Sequence, residues 1–141
     1  MNKTSDNGGA WISPDNKILY WHAGYTIYQA DITDSGFANA AAVPLVNSVS
    51  SPRRPVLTDA QLTMYLSSNQ GASAGTTVAN MRIWKSTRSS TLASWSIPQL
   101  ATELSDSSTM YPSDVSPDGC VIYTTKASST SFHIYQVSKP L

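Results

Sequence analysis

The chain has 141 residues, no net formal charge and 13% charged residues, against about 25% in an average domain. This length suits one domain with its own hydrophobic core. The low charge excludes the basic face of a nucleic-acid-binding protein and a polybasic lipid-binding segment. No apolar run reaches the ~18 residues of a membrane span, and the N-terminal residues, which contain no apolar h-region, are not expected to be a signal peptide.

Short β-branched and aromatic runs recur along the chain between Ser, Asp, Gly and Pro turns, a pattern typical of β-strands. In chain order they are "KILYWHA", "YTIYQADI", "LTMYLSS", "MRIWKST", "CVIYTTKA" and "FHIYQVS". They predict antiparallel hairpins, with a long turn at Asn69–Asn80 and a shorter one in "TKASSTS". Helical periodicity is poor, and the best helical candidate is Pro98–Asp106.

The same unit is repeated three times, which indicates a repeat architecture. Asp15, Asp59 and Asp118 are aligned at one position, and a tyrosine follows each of them five or six residues later. We interpret the three aspartates as turn formers, because an Asp carboxylate accepts backbone hydrogen bonds in tight turns. In the second copy, Thr58 and Asp59 then take the place of Pro-Asp. The expected core positions are Tyr20, Tyr65, Tyr123, Ile27-Tyr28, Ile83-Trp84 and Ile134-Tyr135.

Four antiparallel strands per unit make a propeller blade. The phrases "SPDGCVIYTTKASSTSFHIYQVSKP" and "PVLTDAQLTMYLSSNQGASAGTTVANMRIWKSTR" resemble the Pro-Asp repeat of TolB-like β-propellers. The resemblance implies an all-β propeller segment with three blades, at about residues 1–47, 48–106 and 107–141. It also implies a bacterial parent protein that is secreted or periplasmic.

Three blades are too few to close a ring, because propellers typically have about four to eight. An open propeller would expose two apolar blade faces to water, and the last blade is expected to lack its fourth strand. One explanation is that the missing blades belong to a longer parent protein. The explanation that we favour is a homodimer, in which a two-fold axis completes a six-bladed ring.

The sequence shows few signs of catalytic chemistry. It has no G-x-S-x-G elbow, and His22 and His133 lack the clustered ligands of a zinc site. We interpret both histidines as structural, and "DITDSG" as a polar turn rather than a calcium loop. Neither a metal nor a cofactor is predicted. The single cysteine, Cys120, excludes an internal disulfide, and its place in an apolar run predicts a buried thiol.

A ligand site is expected at the mouth of the central channel, where a few polar groups converge on a concave surface. Arg53 and Arg54 immediately precede an innermost strand, and Trp11, Tyr111 and Asp114 hold comparable places in the other copies. The alternative, which the pattern favours, is that the arginine pair is solvated or binds turn carbonyls.

Three hypotheses about function follow. The favoured one is a non-catalytic binding or scaffold module that self-assembles into a ring and binds a protein or a glycan. The second is part of a propeller enzyme, a sugar lyase or hydrolase, with its site in the channel. The third is an excised or engineered fragment whose property is self-assembly.

Overall fold

The computed structural model describes residues 6–71, 80–104, 108–127 and 131–138. Within these ranges the chain is all-β, and its only helical elements are two 3₁₀ turns at Val46–Ser48 and Thr102–Leu104. Neither turn approaches the length of an apolar membrane-crossing helix. The strands are β1 (Asn7–Ile12), β2 (Ile18–Ala23), β3 (Thr26–Thr33), β4 (Gly36–Ala42), β5 (Arg53–Leu57), β6 (Thr63–Ser68), β7 (Arg82–Thr87), β8 (Gln99–Leu100), β9 (Thr109–Val115), β10 (Val121–Ala127) and β11 (Phe132–Ser138).

Consecutive strands pair antiparallel and form three sheets in the described ranges. Strands β1 to β4 are blade 1, strands β5 to β8 are blade 2, and strands β9 to β11 are blade 3. Blade 3 therefore has three strands in the described part of the chain, where blades 1 and 2 have four. The predicted all-β fold of antiparallel blades is confirmed.

The hydrophobic core lies between the blades, in two clusters. Blade 2 contributes to both clusters, because successive side chains of a strand point to opposite faces of its sheet. One cluster joins blades 1 and 2, with Tyr20, Ile27, Met64, Leu66 and Trp95 among its members. The other joins blades 2 and 3, with Tyr65, Ile83, Leu104, Val115 and Ile122 among its members.

The turn between the first two strands of each blade has the same backbone hydrogen bonds. In each blade, the amide of a Ser or Thr donates to the carbonyl of the first residue of the second strand. The donors are Ser13, Thr58 and Ser116, and the acceptors are Ile18, Thr63 and Val121. Three residues after each Ser or Thr, an amide donates back to its carbonyl; these donors are Asn16, Gln61 and Gly119. The Ser or Thr therefore holds the same position in all three turns, and in each blade the tyrosine follows it by seven residues.

This register corrects the sequence alignment by one residue in blade 2. Asp59 occupies the position of the prolines, and Ala60 occupies the position of Asp15 and Asp118. The alignment was wrong because it matched the aspartates, whereas the backbone is organised around the hydroxyl residue. Blade 2 therefore has the turn but lacks its carboxylate.

In blades 1 and 3 the carboxylate holds the turn. Ser13 Oγ donates to Asp15 Oδ1 at 2.6 Å, and Ser116 Oγ donates to Asp118 Oδ1 at 2.6 Å. The same carboxylates accept from the amides of Lys17 and Cys120. The serine hydrogen bond in each case is the main cause of a lowered pKa of the carboxyl group, since hydrogen bonds to the charged form favour it. The turns of blades 2 and 3 also touch: a Cβ at Gly119 would lie 3.1 Å from Thr58 Cγ2.

The prediction of a buried thiol at Cys120 is wrong, because this side chain is exposed. Cys120 belongs to the turn, where its amide donates to the Asp118 carboxylate at 3.0 Å, and strand β10 begins only at Val121. The helical candidate Pro98–Asp106 contains the short strand β8 and a 3₁₀ turn as far as it is described. Residues 72–79 of the predicted long turn and 128–130 of the shorter one lie outside the described residues.

Restoring the missing carboxylate should stabilise the blade 2 turn. We expect the double variant Asp59→Asn/Ala60→Asp to unfold at a higher urea concentration than Asp59→Asn, because the new carboxylate can accept from Thr58 Oγ1 and the Leu62 amide. The Asp59→Asn background avoids repulsion between adjacent carboxylates.

The gain should disappear at low pH, because the stabilisation requires the charged carboxylate and is lost as the pH falls through its lowered folded pKa. Urea denaturation monitored by tryptophan fluorescence measures both effects. If Asp59→Asn alone lowers the midpoint and adding Ala60→Asp restores nothing, the revised register is incorrect.

Candidate functional site at the channel mouth

Each innermost strand contains a β-bulge at the same place. One extra residue is inserted relative to the neighbouring strand between Gly8 and Trp11 in β1 and between Arg53 and Val56 in β5. In β9 the extra residue lies opposite the step from Tyr123 to Thr124. Bulges bend the strand and redirect side chains, and they are common next to functional sites.

The bulges of β1 and β5 approach each other closely. The residues four positions before the turn Ser or Thr are Gly9 and Arg54, and both have left-handed backbone, with φ of 56° and 50°. A Cβ at Gly9 would lie only 2.5 Å from the Arg54 Cα atom. Glycine is therefore required at position 9 for the close contact between blades 1 and 2, and it also adopts this backbone conformation without strain.

The three bulged segments surround a cavity of about 390 Å³, which lies within the size range of small-molecule sites. Blade 1 lines it with residues 6–10 and His22, blade 2 with Arg53, Arg54 and Val56, and blade 3 with residues 111–113. Side chains from all three blades thus converge where the innermost strands meet. We call this cavity the mouth pocket.

The two arginines of the mouth pocket have different environments. Arg53 forms an ion pair with Asp6, and its guanidinium lies 4.8 Å from the centre of the Tyr25 ring. Arg54 is exposed, and its guanidinium lies 4.5 Å from the centre of the Tyr111 ring. Both contacts are cation–π interactions, which hold a guanidinium in place without neutralising its charge.

His22 is buried beneath the mouth pocket and connects two blades. Its Nδ1 atom accepts a hydrogen bond of 3.3 Å from the Arg54 amide. The space for the ring comes from Gly8, where a Cβ would lie 3.1 Å from His22 Cε1. Burial is the main cause of a lowered pKa of His22; Asp6 opposes this effect, and the two arginines reinforce it. The imidazole is therefore neutral at neutral pH, as an Nδ1 acceptor requires.

At the positions equivalent to His22, blades 2 and 3 have hydroxyl side chains that form hydrogen bonds with their own innermost strands. Ser67 Oγ donates to the Arg53 carbonyl at 3.2 Å, and Thr125 Oγ1 lies 2.6 Å from Ser113 Oγ. Blade 1 differs because its imidazole reaches across to the innermost strand of the next blade. The pKa of Tyr111, on the third side of the pocket, is raised chiefly by burial, with the nearby arginines opposing.

The structure brings three of the five predicted ligand residues together in the mouth pocket: Arg53, Arg54 and Tyr111. Trp11 instead packs against both core clusters, with its ring 6.1 Å from that of Tyr20. Asp114 is exposed, and its Oδ1 atom accepts from the Val115 amide at 2.8 Å. Neither residue lines the cavity.

Sequence reasoning missed Asp6, Gly9 and His22 as residues of this site. His22 has a readable signal: it follows Tyr20 by two residues, so it lies on the same face of the sheet as a core tyrosine. It also stands where the other copies have Ser67 and Thr125. In the described ranges, no group of three or more His, Cys, Asp or Glu side chains could hold a metal ion.

No protein-family model and no curated protein matches the sequence. The fold is similar to that of a putative TolB from Agrobacterium tumefaciens, with a TM-score of 0.62 over 98% of this chain and 44% of that chain. It is also similar to TolB from Acinetobacter baumannii, with a TM-score of 0.60 over 98% of this chain and 31% of that one. Both are 15% identical in sequence, so the likeness is one of fold. The chain has the architecture of TolB-like propeller blades and spans less than half the length of these two proteins.

Substituting Gly9 should destabilise the contact between blades 1 and 2. We expect Gly9→Ala to lower the free energy of unfolding by about 1–3 kcal/mol more than Gly71→Ala does, because only Gly9 faces backbone atoms of another strand. Gly71 has a φ of 81°, and among the described residues nothing lies within 4 Å of its Cβ position. It is therefore a control for backbone strain alone, and equal losses in urea denaturation would argue against the close approach.

His22 should make stability depend on pH. Its folded pKa is lowered, so protonation favours the unfolded chain, and stability should fall as the pH drops below the unfolded value of about 6.5. His22→Gln should remove this dependence, whereas His133→Gln, at an exposed position, should leave it in place. Urea midpoints measured from about pH 8 to about pH 5 test this; a dependence that follows His133 would contradict the assignment.

Proposed function

We propose that this chain is a half-propeller that closes a six-bladed ring with a second copy and serves as a non-catalytic binding module. The observation that supports closure is the exposure of one blade face at positions that are buried elsewhere. Tyr20 and Tyr65 are 1% and 0% exposed, whereas their equivalent Tyr123 is 37% exposed. Ile27 and Ile83 are both 0% exposed, whereas their equivalent Ile134 is 75% exposed.

The register supports the comparison of these isoleucines. Ile27 pairs with His22, Ile83 with Ser67, and Ile134 with Thr125, which are the equivalent positions of the three blades. The same side chain thus lies in a core when a following blade covers it and in solvent when none does. Large exposed apolar patches mark interaction sites on soluble proteins.

Blade 1 has the complementary face. Within the chain, the tyrosine face of blade 1 packs against Met64 and Leu66 of blade 2, and the tyrosine face of blade 2 packs against Ile122 of blade 3. The repeat register places Leu19 and Trp21 of blade 1 at the positions of Met64 and Leu66. The uncovered face of blade 3 therefore suits blade 1 of another copy.

Two copies can cover the exposed face of blade 3 in each other symmetrically. A two-fold axis along the channel places blade 3 of each copy against blade 1 of the other, so both seams are alike. Six blades lie within the usual range for closed propellers, and closure covers the exposed face of blade 3 in each copy. One further copy is therefore sufficient to close the ring.

A binding role is supported by the mouth pocket, where a few polar groups from all three blades converge. His22 uses its ring acceptor for a backbone amide rather than for a hydroxyl nucleophile, which favours binding over nucleophilic catalysis. We therefore assign the mouth of the ring to a partner that is either a protein or a glycan.

The ring is tested by the mass of the isolated chain in solution. We expect a dimer by sedimentation equilibrium and multi-angle light scattering, and Tyr123→Lys and Ile134→Lys should shift it to monomer because each places a charge in the seam. Leu92→Lys is the matched control, since Leu92 is also an exposed apolar residue but lies outside the blade strands. A folded monomeric wild-type chain at micromolar concentration would refute the proposal.

A further inference from the structure

We infer that the mouth pocket binds a carboxylate group through Arg54. The inference deepens the proposed binding role, on which it rests, by giving the chemistry of the ligand. It does not require a closed ring, because a single chain supplies every residue that lines the pocket.

The charge balance of the pocket leaves one cation unpaired. The ionisable groups that line it are Asp6, Arg53, Arg54, His22 and Tyr111. Asp6 and Arg53 form an ion pair. His22 and Tyr111 are uncharged at neutral pH. Arg54 therefore gives the pocket a net positive charge, which favours an anionic ligand.

The backbone at Arg54 indicates a role beyond folding. Its φ of 50° is unfavourable for a residue with a side chain, and the equivalent residue of blade 1 is glycine, at Gly9. A glycine at position 54 would relieve this strain. Strained residues of this kind concentrate at binding and catalytic sites, where the side chain has a function that offsets the strain.

The guanidinium of Arg54 is held ready for a ligand. The Tyr111 ring supports it at 4.5 Å, and His22 anchors its amide at 3.3 Å. A guanidinium that stacks on a ring can still present its planar edge, which matches the two oxygens of a carboxylate. The pocket volume of about 390 Å³ suits one acidic side chain or one sugar acid.

The test is an NMR titration of the ¹⁵N-labelled wild-type chain with two carboxylate probes. N-acetylglutamate methylamide represents an acidic peptide side chain, and glucuronate represents a sugar acid. The neutral counterparts are N-acetylglutamine methylamide and glucose. We expect saturable shifts of the Arg54 amide and of neighbouring amides that line the pocket with at least one acid and not with its neutral counterpart.

Arg54→Gly should weaken this binding about tenfold or more, since it removes a charged hydrogen-bond donor and relaxes the backbone. Arg54→Lys retains the charge but not the planar fork and should bind with intermediate affinity. Arg82→Gln is the charge-matched control, at an exposed position of β7 away from the pocket, and should bind like the wild type.

The outcomes separate the possible sources and the two proposals. Tighter binding of the glutamate probe identifies a peptide partner, and tighter binding of glucuronate identifies a glycan. Equal binding of charged and neutral probes, no binding of either acid, or unchanged binding by Arg54→Gly would overturn the inference. The mass of the chain is measured on the same samples, so failure of ring closure is recognised independently.

Discussion

The packing of one blade face against the next is the interaction on which the rest of this molecule depends. Blade 2 has both faces covered, and strand β6 is buried along nearly its whole length. Blades 1 and 3 each have one such neighbour within the chain. Because the same packing brings β1, β5 and β9 together, the mouth pocket belongs to the assembly of blades rather than to any one of them.

The chemistry of the mouth pocket arises from small departures from the repeat. Blades 2 and 3 use Ser67 and Thr125 to tie their second strands to their innermost strands. Blade 1 uses His22 instead, and the ring spans the blade boundary to reach the Arg54 amide. In a perfectly regular repeat, the three blades would line the mouth pocket with the same residues. In this chain, blade 1 contributes glycines, blade 2 contributes two arginines and blade 3 contributes Tyr111.

Most of the architecture could be predicted from the sequence, because strand alternation, turn residues and repeat spacing are local signals. The exact register in blade 2 could not, since Asp59 and Ala60 are neighbours and the aspartate is the more conspicuous of the two. The bulges could not be predicted from the sequence either. A glycine within a strand, such as Gly9, often indicates a bulge, but an arginine such as Arg54 does not. The structure places Arg53, Arg54 and Tyr111 around one cavity, whereas Trp11 packs against the core and Asp114 is exposed outside the cavity. Cys120 was misplaced because a turn residue directly precedes an apolar strand.

The contact between the turns of blades 2 and 3, where Gly119 meets Thr58, has a consequence for the proposed ring. If the seams repeat this geometry, the turn of blade 3 meets the turn of blade 1 from the other copy. Both of these turns carry a carboxylate, Asp118 and Asp15, whereas the blade 2 turn carries Ala60 in that position. Each of the two interfaces between copies would then bring together one Asp118 and one Asp15 carboxylate. Counterions and ionic strength would act on these interfaces while leaving the contacts inside each chain largely unaffected.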